Sequence, residues 1–275
     1  MSYFAFQFVV EPVDPGSDIL IAVLAEAGFE SFENNENGFV GYIPEELAES
    51  LQLSEIAFDD FKFTYSKSKI EKENWNEVWE KNFNPVLIEN ELLIRAPFHA
   101  VNNAVKREII IMPKMSFGTG HHQTTKLVCA EMLGMDFKDK SVLDMGCGTG
   151  ILAILARQLG AQSILGIDID DWSVENAIEN CKVNACEEIK IIKGDDQSIP
   201  TNQMFDVILA NINKNILKRQ IKTYQPCLKA NGFLLISGFF KTDIPELIQA
   251  AEQQKFKFHK QETDGEWAML VFKKN

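Results

Sequence analysis

A glycine-rich turn stands near the middle of the sequence, where residues 142–150 read Val-Leu-Asp-Met-Gly-Cys-Gly-Thr-Gly. An apolar run of strand length precedes the glycines, and a helical stretch begins at Ile151. Glycines between a strand and a helix let the backbone approach a ligand that a Cβ would exclude. We therefore expect Gly146 and Gly148, with Asp144 beside them, to contact a bound molecule. A turn that only joins a strand to a helix remains the alternative.

A carboxylate and an amide follow other strands in positions that suit the same ligand. Asp168 ends the run Ser-Ile-Leu-Gly-Ile-Asp, and a carboxylate about twenty residues after such a turn can accept hydrogen bonds from both hydroxyls of a ribose. Asn211 ends the apolar run 205–211 and offers a carbonyl acceptor and an amino donor. Open α/β sheets bind ligands at the carboxyl edge, so we expect Asp168 to bind a nucleoside and Asn211 to orient a reacting group.

Four further acidic residues flank this predicted site. Asp170 and Asp171 follow the second strand and are expected to cap the next helix. Asp195 and Asp196 follow the third strand, where the base of a nucleoside would lie. A role in a turn or a cap is equally compatible with their positions.

The elements that position these residues alternate in type from Ser141 to the end of the sequence. Apolar runs of strand length are separated by helical segments, which is typical of a parallel sheet covered on both faces. The sequence predicts an α/β domain with a seven-stranded, mostly parallel, Rossmann-like sheet. Its predicted strands are 141–145, 163–168, 189–194, 205–211, 232–238, 256–262 and 267–273.

The first quarter of the chain predicts a separate, smaller unit. Residues 1–66 read strand–helix–strand–strand–helix–strand, with a polar turn at 35–38 that is typical of a hairpin. That order matches a ferredoxin-like α+β module. The predicted domains are 1–66, a linker and helix at 67–84, and a larger domain at 85–275.

The net charge of −13 belongs almost entirely to the first unit. Residues 1–66 contain thirteen acidic side chains and one basic side chain, Lys62, whereas the rest of the chain has a net charge of −1. Such a surface repels nucleic acid and attracts cationic partners at low salt. Two interpretations stay open, a docking module for a basic protein and an acidic module that only increases solubility.

The composition favours a soluble protein of a reducing compartment. No apolar run reaches the roughly 18 residues needed to cross a bilayer. The five cysteines include no CxxC pair, which predicts neither a disulfide framework nor a zinc site. His121 and His122 are adjacent and have no third ligand at a metal-binding spacing, so loop packing and helix capping are favoured over a metal.

Five segments carry motifs of a known family: FGTGHHQTT (117–125), VLDMGCGTGILAI (142–154), GIDID (166–170), ANI (210–212) and EWAMLVFKK (266–274). With them the chain resembles the methyltransferase family that acts on ribosomal large-subunit protein eleven. The resemblance covers nearly the whole chain, and the loop at 117–125 is its most diagnostic element because generic methyltransferases lack it. It implies a small N-terminal substrate-recognition domain and a linking helix before the catalytic domain.

The resemblance also implies a reaction and its participants. S-adenosylmethionine would donate the methyl group without a metal, and the acceptors would be lysine ε-amino and N-terminal α-amino groups of a basic ribosomal protein. Cysteine usage and charge add the expectation of a cytoplasmic protein without a nucleic-acid or membrane partner, and a monomer is expected. Phe117 and Thr119 would close over the donor. The residues that the motifs place against the donor are Thr125, Gly146, Asp168 and Asn211.

Three other functions are weighed against this one. Methyltransferases that act on glutamine amides or on DNA adenine share an Asn-Pro-Pro-Tyr tetrad. Here Asn211 matches the first residue of that tetrad, but Ile-Asn-Lys at 212–214 replaces Pro-Pro-Tyr. The family itself commonly reads Asn-Ile-Leu-Ala, so Lys214 is a departure that brings a cation near the site. A nicotinamide-dependent oxidoreductase would need a third glycine where Ile151 stands. A non-catalytic binding module is the third alternative, and turnover of labelled donor separates it from an enzyme.

Overall fold

The computed structural model describes residues 3–51, 53, 56–70, 83–101, 104–114 and 116–275. They form two units, Met1–Phe83 and Asn84–Asn275. The linking helix predicted within 67–84 falls largely on 71–82, outside the described residues.

The first unit is a four-stranded antiparallel sheet with two helices. Its strand order is β2-β3-β1-β4, the order of a ferredoxin-like module, as predicted. A two-residue turn joins β2 to β3, which confirms the predicted hairpin. The elements are β1 (Tyr3–Glu11), α1 (Val13–Glu26), β2 (Ser31–Asn35), β3 (Gly38–Pro44), α2 (Glu45–Ala48) and β4 (Lys62–Ile70).

Alternation along β1 gives this unit its core. Phe6, Phe8 and Val10 are buried on one face of the sheet and pack with Leu20 and Leu24 of α1. The intervening residues of β1 point to the opposite face.

The last strand of the unit is longer than predicted. β4 continues to Ile70, whereas the sequence placed a linker from residue 67. The charged residues Lys67 and Lys69 suggested a linker, but β4 is an edge strand, where charged side chains are tolerated. All nine residues of β4 pair with β1 in antiparallel register.

The second unit contains the predicted seven-stranded sheet, in the order β10-β9-β8-β11-β12-β14-β13. β8 to β12 are parallel, and β14 is antiparallel to β12 and β13. These strands are β8 (Ser141–Met145), β9 (Ser163–Asp168), β10 (Lys190–Lys193), β11 (Phe205–Asn211), β12 (Leu228–Phe240), β13 (Phe256–Asp264) and β14 (Trp267–Lys274).

Apolar cores lie on both faces of this sheet. Successive residues of β8 alternate between them, since Val142 belongs to one core and Leu143 and Met145 to the other. The near-continuous apolar sequence of the central strands follows from this two-sided burial. The helices of the unit are α3 (Gln123–Leu133), α4 (Ile151–Gln158), α5 (Asp171–Val183), α6 (Lys214–Cys227) and α7 (Ile244–Gln253).

Three short strands of the second unit lie in segments that the sequence predicts as extended, 85–96 and 107–112, and they form a sheet of their own, a pairing that the sequence did not predict. They are β5 (Val86–Ile88), β6 (Leu92–Arg95) and β7 (Arg107–Ile110), in the order β5-β6-β7. Arg95 is buried at the end of β6, and its guanidinium donates two hydrogen bonds to the carboxylate of Glu108 on β7, at 2.6 and 2.9 Å.

The cysteines are free thiols, and four of the five are buried. Burial raises the pKa of Cys129, Cys147 and Cys186, and it raises the pKa of Cys181 to about 12. Among the described residues, no helix combines the length and apolar character needed to span a membrane.

Candidate active site

The candidate site lies at the carboxyl edge of the seven-stranded sheet, beside β8. The chain enters the parallel series at β8, and β9 and β11 lie on its two sides, so a crevice opens between the loops that follow these strands. The register pairs Met145 of β8 with both Ile167 of β9 and Ala210 of β11. The residues that directly follow these three, Gly146, Asp168 and Asn211, therefore lie side by side at the same edge of the sheet. All three line a cavity of about 550 Å³.

The loop after β8 depends on glycines for two reasons. Gly146 and Gly148 have φ angles of +70° and +54°, which glycine adopts without strain. A Cβ on Gly146 would lie 2.2 Å from Cγ2 of Ile212, and one on Gly148 would lie 2.3 Å from the carbonyl oxygen of Phe117. The sequence predicted these glycines for close approach of a ligand. Both do line the cavity, but contacts within the chain already require them.

The carboxylate of Asp168 is oriented by two backbone donors. Gly148 N donates to Oδ2 at 2.8 Å, and Asp170 N donates to Oδ1 at 3.1 Å. The residue is 8% exposed and lines the cavity. Because a carboxylate accepts about four hydrogen bonds, Asp168 retains acceptor capacity for two hydroxyls of a ligand.

Asn211 presents one satisfied and one unsatisfied polar atom. Its Nδ2 donates to Thr125 Oγ1 at 3.4 Å, whereas its Oδ1 is buried without a hydrogen-bond partner among the described residues. A buried acceptor without a partner costs about 1–3 kcal/mol, so a donor that enters the cavity would remove this cost. Thr125, predicted to contact the ligand, is fully buried behind Asn211, and the neighbouring Thr124 lines the cavity instead.

The loop at 117–122 is joined to the glycine loop. Thr149 N donates to the carbonyl of Phe117 at 3.0 Å, and Thr149 Oγ1 donates to the carbonyl of Gly118 at 2.6 Å. Phe117 is 52% exposed and lines the cavity, and its closing over a ligand stays a prediction. Thr119, predicted to close with it, forms a hydrogen bond with His121 instead of lining the cavity.

His122 caps α3, as predicted. Its Nδ1 accepts a hydrogen bond from Thr124 N at 3.2 Å, and its ring contacts Trp267 and Phe117 at centroid distances of 4.6 and 5.1 Å. Burial lowers the pKa of His122. No group of three or more metal-ligating side chains occurs among the residues that the structure describes.

Asp144 does not reach the cavity. It is fully buried under the glycine loop, where Oδ2 accepts a hydrogen bond from Ala153 N in the first turn of α4 at 3.1 Å. Burial raises its pKa to about 7, and the nearby Asp168 adds to the shift. Asp144 was predicted to contact the ligand. The structure shows it fixing α4 to the strand before the loop, because strand alternation turns its side chain inward.

Comparison with known proteins decides the family. The profile of the family "Ribosomal protein L11 methyltransferase (PrmA)" matches residues 29–275. A ribosomal protein L11 methyltransferase of Bacteroides thetaiotaomicron is 42% identical over 278 residues, which cover 99% of each chain. One from Porphyromonas gingivalis is 44% identical and covers 98% of this chain and 96% of its own. The chain belongs to the ribosomal protein L11 methyltransferase family.

Solved structures agree with this assignment. A ribosomal protein L11 methylase of Lactobacillus delbrueckii subsp. bulgaricus aligns with a TM-score of 0.66 and 30% identity, covering 70% of this chain and all of its own. A methyltransferase of Pyrococcus furiosus shares the fold at 15% identity, with a TM-score of 0.52, and covers 60% of this chain and 89% of its own. The prediction of a methyltransferase enzyme with this sheet is confirmed.

In this member of the L11 methyltransferase family, several cavity residues were not identified from the sequence. Ile169 and Trp172 line the cavity and are 66% and 58% exposed, although large apolar side chains are usually buried. Their positions one and four residues after Asp168 were the one available signal. Arg219 of α6 is the cation that lines the cavity. Lys214, which the sequence placed near the site, forms ion pairs with Asp243 and Glu246 at 2.8 and 3.3 Å.

The two acids after β10 have different surroundings. Asp195 lines the cavity, and its Oδ1 accepts a hydrogen bond from Gln197 N at 2.9 Å. Both oxygens of Asp196 are held by α6, where Gln220 Nε2 donates at 3.2 Å and Thr223 Oγ1 at 2.8 Å. Asp195 is therefore the acid of this pair that can meet a ligand.

Proposed function

We propose that this chain transfers methyl groups from S-adenosylmethionine to amino groups of ribosomal protein L11, with lysine ε-amino groups and the N-terminal α-amino group as acceptors. Relatives named for this protein substrate match over nearly their whole length. The observation that carries the proposal is that Asp168, with its oriented carboxylate, lines the same cavity as Asn211, whose Oδ1 has no hydrogen-bond partner among the described residues.

The cavity suits S-adenosylmethionine in size and chemistry. Its volume of about 550 Å³ lies within the range of small-molecule sites. Asp168 can accept from the ribose hydroxyls, the exposed Ile169 and Trp172 offer apolar contact to a base, and Asp195 can accept from an exocyclic amino group. When bound, this donor supplies a methyl group attached to a positively charged sulfur. The sulfur leaves as a neutral thioether, so the transfer needs no metal.

Asn211 would orient the accepting amine. A neutral amine retains N–H groups, and one of these can donate to Asn211 Oδ1, whose amide is fixed through Nδ2 by Thr125. The nitrogen lone pair is then directed at the methyl carbon. The new N–C bond forms as the S–C bond breaks, so the positive charge passes from the sulfur to the methylated nitrogen and a neutral thioether leaves. Positioning of this kind supplies a large part of many enzymatic accelerations.

The proton leaves before transfer, because only a neutral amine has a lone pair to donate. A lysine with a pKa of about 10.4 needs roughly 4–5 kcal/mol to lose its proton at about pH 7, whereas an α-amino group with a pKa of about 7.7–8.0 needs about 1 kcal/mol. Desolvation in the cavity lowers the pKa of an entering amine. Loss of the proton to solvent before docking is the proposed route.

The acidic first unit would receive the protein substrate. Ribosomal proteins that bind RNA are basic, and the net charge of −12 in residues 1–66 attracts such a partner. The proposed place of action is the cytoplasm, where ribosomal proteins are made, and the buried free thiols are compatible with a reducing compartment.

The donor site is tested by Asp168→Ala. The substitution removes a charged acceptor, so we expect the binding free energy of S-adenosylmethionine to weaken by about 1.5–3 kcal/mol, as measured by calorimetry. Asp171→Ala is the matched control, because Asp171 is an exposed acid that pairs with Lys193 instead of lining the cavity. Unchanged affinity in a folded Asp168→Ala protein would remove Asp168 from the site.

The reaction is tested by incubating the enzyme with purified ribosomal protein L11 and methyl-labelled S-adenosylmethionine, then mapping the labelled residues. We expect label on lysines and on the N-terminus, and a lower turnover number for Asn211→Ala at saturating donor. Absence of label on L11 would refute the substrate. Full turnover by Asn211→Ala with only a weaker donor affinity would refute the orienting role.

A further inference from the structure

One side of α5 and the residue that ends it carry three asparagines at four-residue spacing: Asn176, Asn180 and Asn184. Residues four apart lie on the same face of a helix, and Asn176 and Asn180 are buried on that face. Asparagine is usually exposed, and a buried amide destabilises a fold unless it is hydrogen-bonded. The hydrogen bonds of these residues, which we call the asparagine row, therefore show what the buried amides do.

The asparagine row takes the place of a neighbouring strand along β7 and its continuation to Met112. Asn184 accepts from Ile110 N at 2.9 Å and donates to Ile110 O at 2.7 Å. Two residues further on, Asn180 Oδ1 accepts from Met112 N at 2.8 Å, and Asn176 Nδ2 donates to Met112 O at 3.4 Å. β7 is the edge strand of the three-stranded sheet, so the row satisfies backbone groups that a further strand would otherwise bind.

Asn180 has a second connection, to the glycine loop after β8. Its Nδ2 donates to the carbonyl oxygen of Thr149 at 2.9 Å. Thr149 in turn holds the loop at 117–122, because its N and Oγ1 donate to the carbonyls of Phe117 and Gly118. Among the hydrogen bonds of the described residues, the one from Asn180 is the bond of the asparagine row that joins α5 to the glycine loop.

The parts of the chain that Asn180 joins all contribute to the wall of the cavity. α5 contributes Trp172 and Ser173, the glycine loop contributes Gly148, and the loop at 117–122 contributes Phe117. Asn180 itself is outside the set of residues that line the cavity. It can therefore act on a bound molecule through these parts, and it uses both polar atoms of its amide to hold them.

We propose that Asn180 is a positioning residue for the methyl donor. Through its two hydrogen bonds it fixes the glycine loop and the chain that leads to Phe117 in the geometry that binds S-adenosylmethionine. Without Asn180 the donor has to order these loops as it binds, and that cost lowers its affinity. A bound donor holds the loops itself, so the turnover number at saturating donor is retained. This inference rests on the proposed use of S-adenosylmethionine.

The experiment compares Asn180→Ala with the matched control Asn184→Ala. Both substitutions remove amide hydrogen bonds between α5 and the segment 110–112, and Asn180→Ala in addition releases Thr149. Circular dichroism and urea unfolding establish that each variant is folded and measure its loss of stability. Calorimetry then gives the Kd for S-adenosylmethionine, and label transfer to purified ribosomal protein L11 gives kcat and the KM for the donor.

We expect Asn180→Ala to raise the Kd and the KM for S-adenosylmethionine about five- to tenfold, with kcat at saturating donor within about twofold of wild type, because the lost bonds order the free site. Asn184→Ala loses stability as well, but its donor affinity should change less than about twofold, since the bond from Asn180 to Thr149 is retained. A role in folding alone would not produce this split between KM and kcat.

Thr149→Val examines the same connection from its other end. Valine keeps the shape of the fully buried Thr149 and its backbone bonds, and it removes the hydroxyl that donates to Gly118 O. We expect a weaker donor affinity here too. In the double variant with Asn180→Ala the two losses should add to less than their sum, because both substitutions loosen one loop.

Three results would overturn the inference. Equal losses of donor affinity in Asn180→Ala and Asn184→Ala would assign the effect to general support of the segment 110–112. A loss of stability in Asn180→Ala with wild-type donor affinity would assign the residue to folding. If Asn180→Ala does not fold, Thr149→Val decides, and wild-type donor affinity in that variant overturns the inference. Failure of the proposed function is a separate outcome, since wild-type enzyme itself would then fail to bind the donor or to methylate L11.

Discussion

Asp144 carries an unusual proton equilibrium for a side chain outside the set of residues that line the cavity. It is fully buried, one of its oxygens has no hydrogen-bond partner among the described residues, and its pKa is raised to about 7 by burial. In the unfolded chain an aspartate has a pKa of about 3.9. The folded protein therefore binds the proton more tightly between these values. The stability contributed by protonated Asp144 is complete below about pH 4 and is lost as the pH rises towards about 7.

Asp144→Asn removes this titration and keeps the acceptor for Ala153 N. We expect the unfolding free energy of the variant, relative to wild type, to rise by up to about 4 kcal/mol between about pH 4 and pH 7, since each pKa unit is worth about 1.36 kcal/mol. Urea unfolding at several pH values measures the difference. A constant difference across this range would contradict the raised pKa.

Residue types and order were sufficient to predict part of the site. Gly146, Asp168 and Asn211 follow three strands of one parallel sheet, so their meeting at its carboxyl edge depends only on the strand order. Thr125 and Asp144 were also expected to contact the ligand. Whether such a residue faces the cavity or the core is decided by helix and strand phase in three dimensions, which a motif does not encode.

At the scale of elements, α6 holds the loop that carries Asp195. Thr223 and Gln220, on neighbouring turns of α6, donate to the two oxygens of Asp196. Gln220 in turn accepts from the hydroxyl of the buried Tyr224 at 2.5 Å. The helix thereby fixes the short 3₁₀ helix Asp196–Ser198, and with it the neighbouring Asp195 on the cavity wall.

Thr223→Val tests this positioning because Thr223 is outside the set of residues that line the cavity. Loss of one hydrogen bond to a charged group should weaken binding of S-adenosylmethionine by about 1 kcal/mol, roughly fivefold. Thr201→Val is a matched control at an exposed position just after the same 3₁₀ helix. A drop in stability without any change in donor affinity would show that the bond serves folding alone.

Strands could be predicted from the sequence where they are buried on both faces of the sheet, or where buried and exposed residues alternate along them. β8, β9 and β11 are near-continuous apolar runs, and β1 alternates, so their types could be predicted. Extended segments were predicted at 85–96 and 107–112, but their pairing into the sheet β5-β6-β7 was not, because strands of three or four residues carry too little pattern to show which strands they pair with. The end of β4 was missed because lysines on an edge strand resemble a charged linker.

At the scale of the molecule, charge and catalytic residues are assigned to different units. The cavity residues all belong to Asn84–Asn275, and the acidic excess lies in residues 1–66. The second unit has two apolar cores of its own. Donor binding and substrate capture are therefore expected to be separable.

Deletion of residues 1–83 makes this separation measurable. The remaining unit should bind S-adenosylmethionine with wild-type affinity in calorimetry, because every residue that lines the cavity is retained. Methylation of intact L11 should fall by at least about 100-fold, since capture by the acidic unit is lost. Methylation of L11 at the wild-type rate would show that the second unit recognises its substrate alone.

The buried thiols give the molecule chemical durability. A thiolate, not a thiol, reacts with oxidants and alkylating reagents, and burial raises the pKa of Cys129, Cys147, Cys181 and Cys186. These four buried cysteines are thus poor targets for maleimides and peroxides. A single cysteine introduced at an exposed position such as Val9 would outcompete them for a fluorescent or spin label, so distances from the first unit can be followed without first removing the native cysteines.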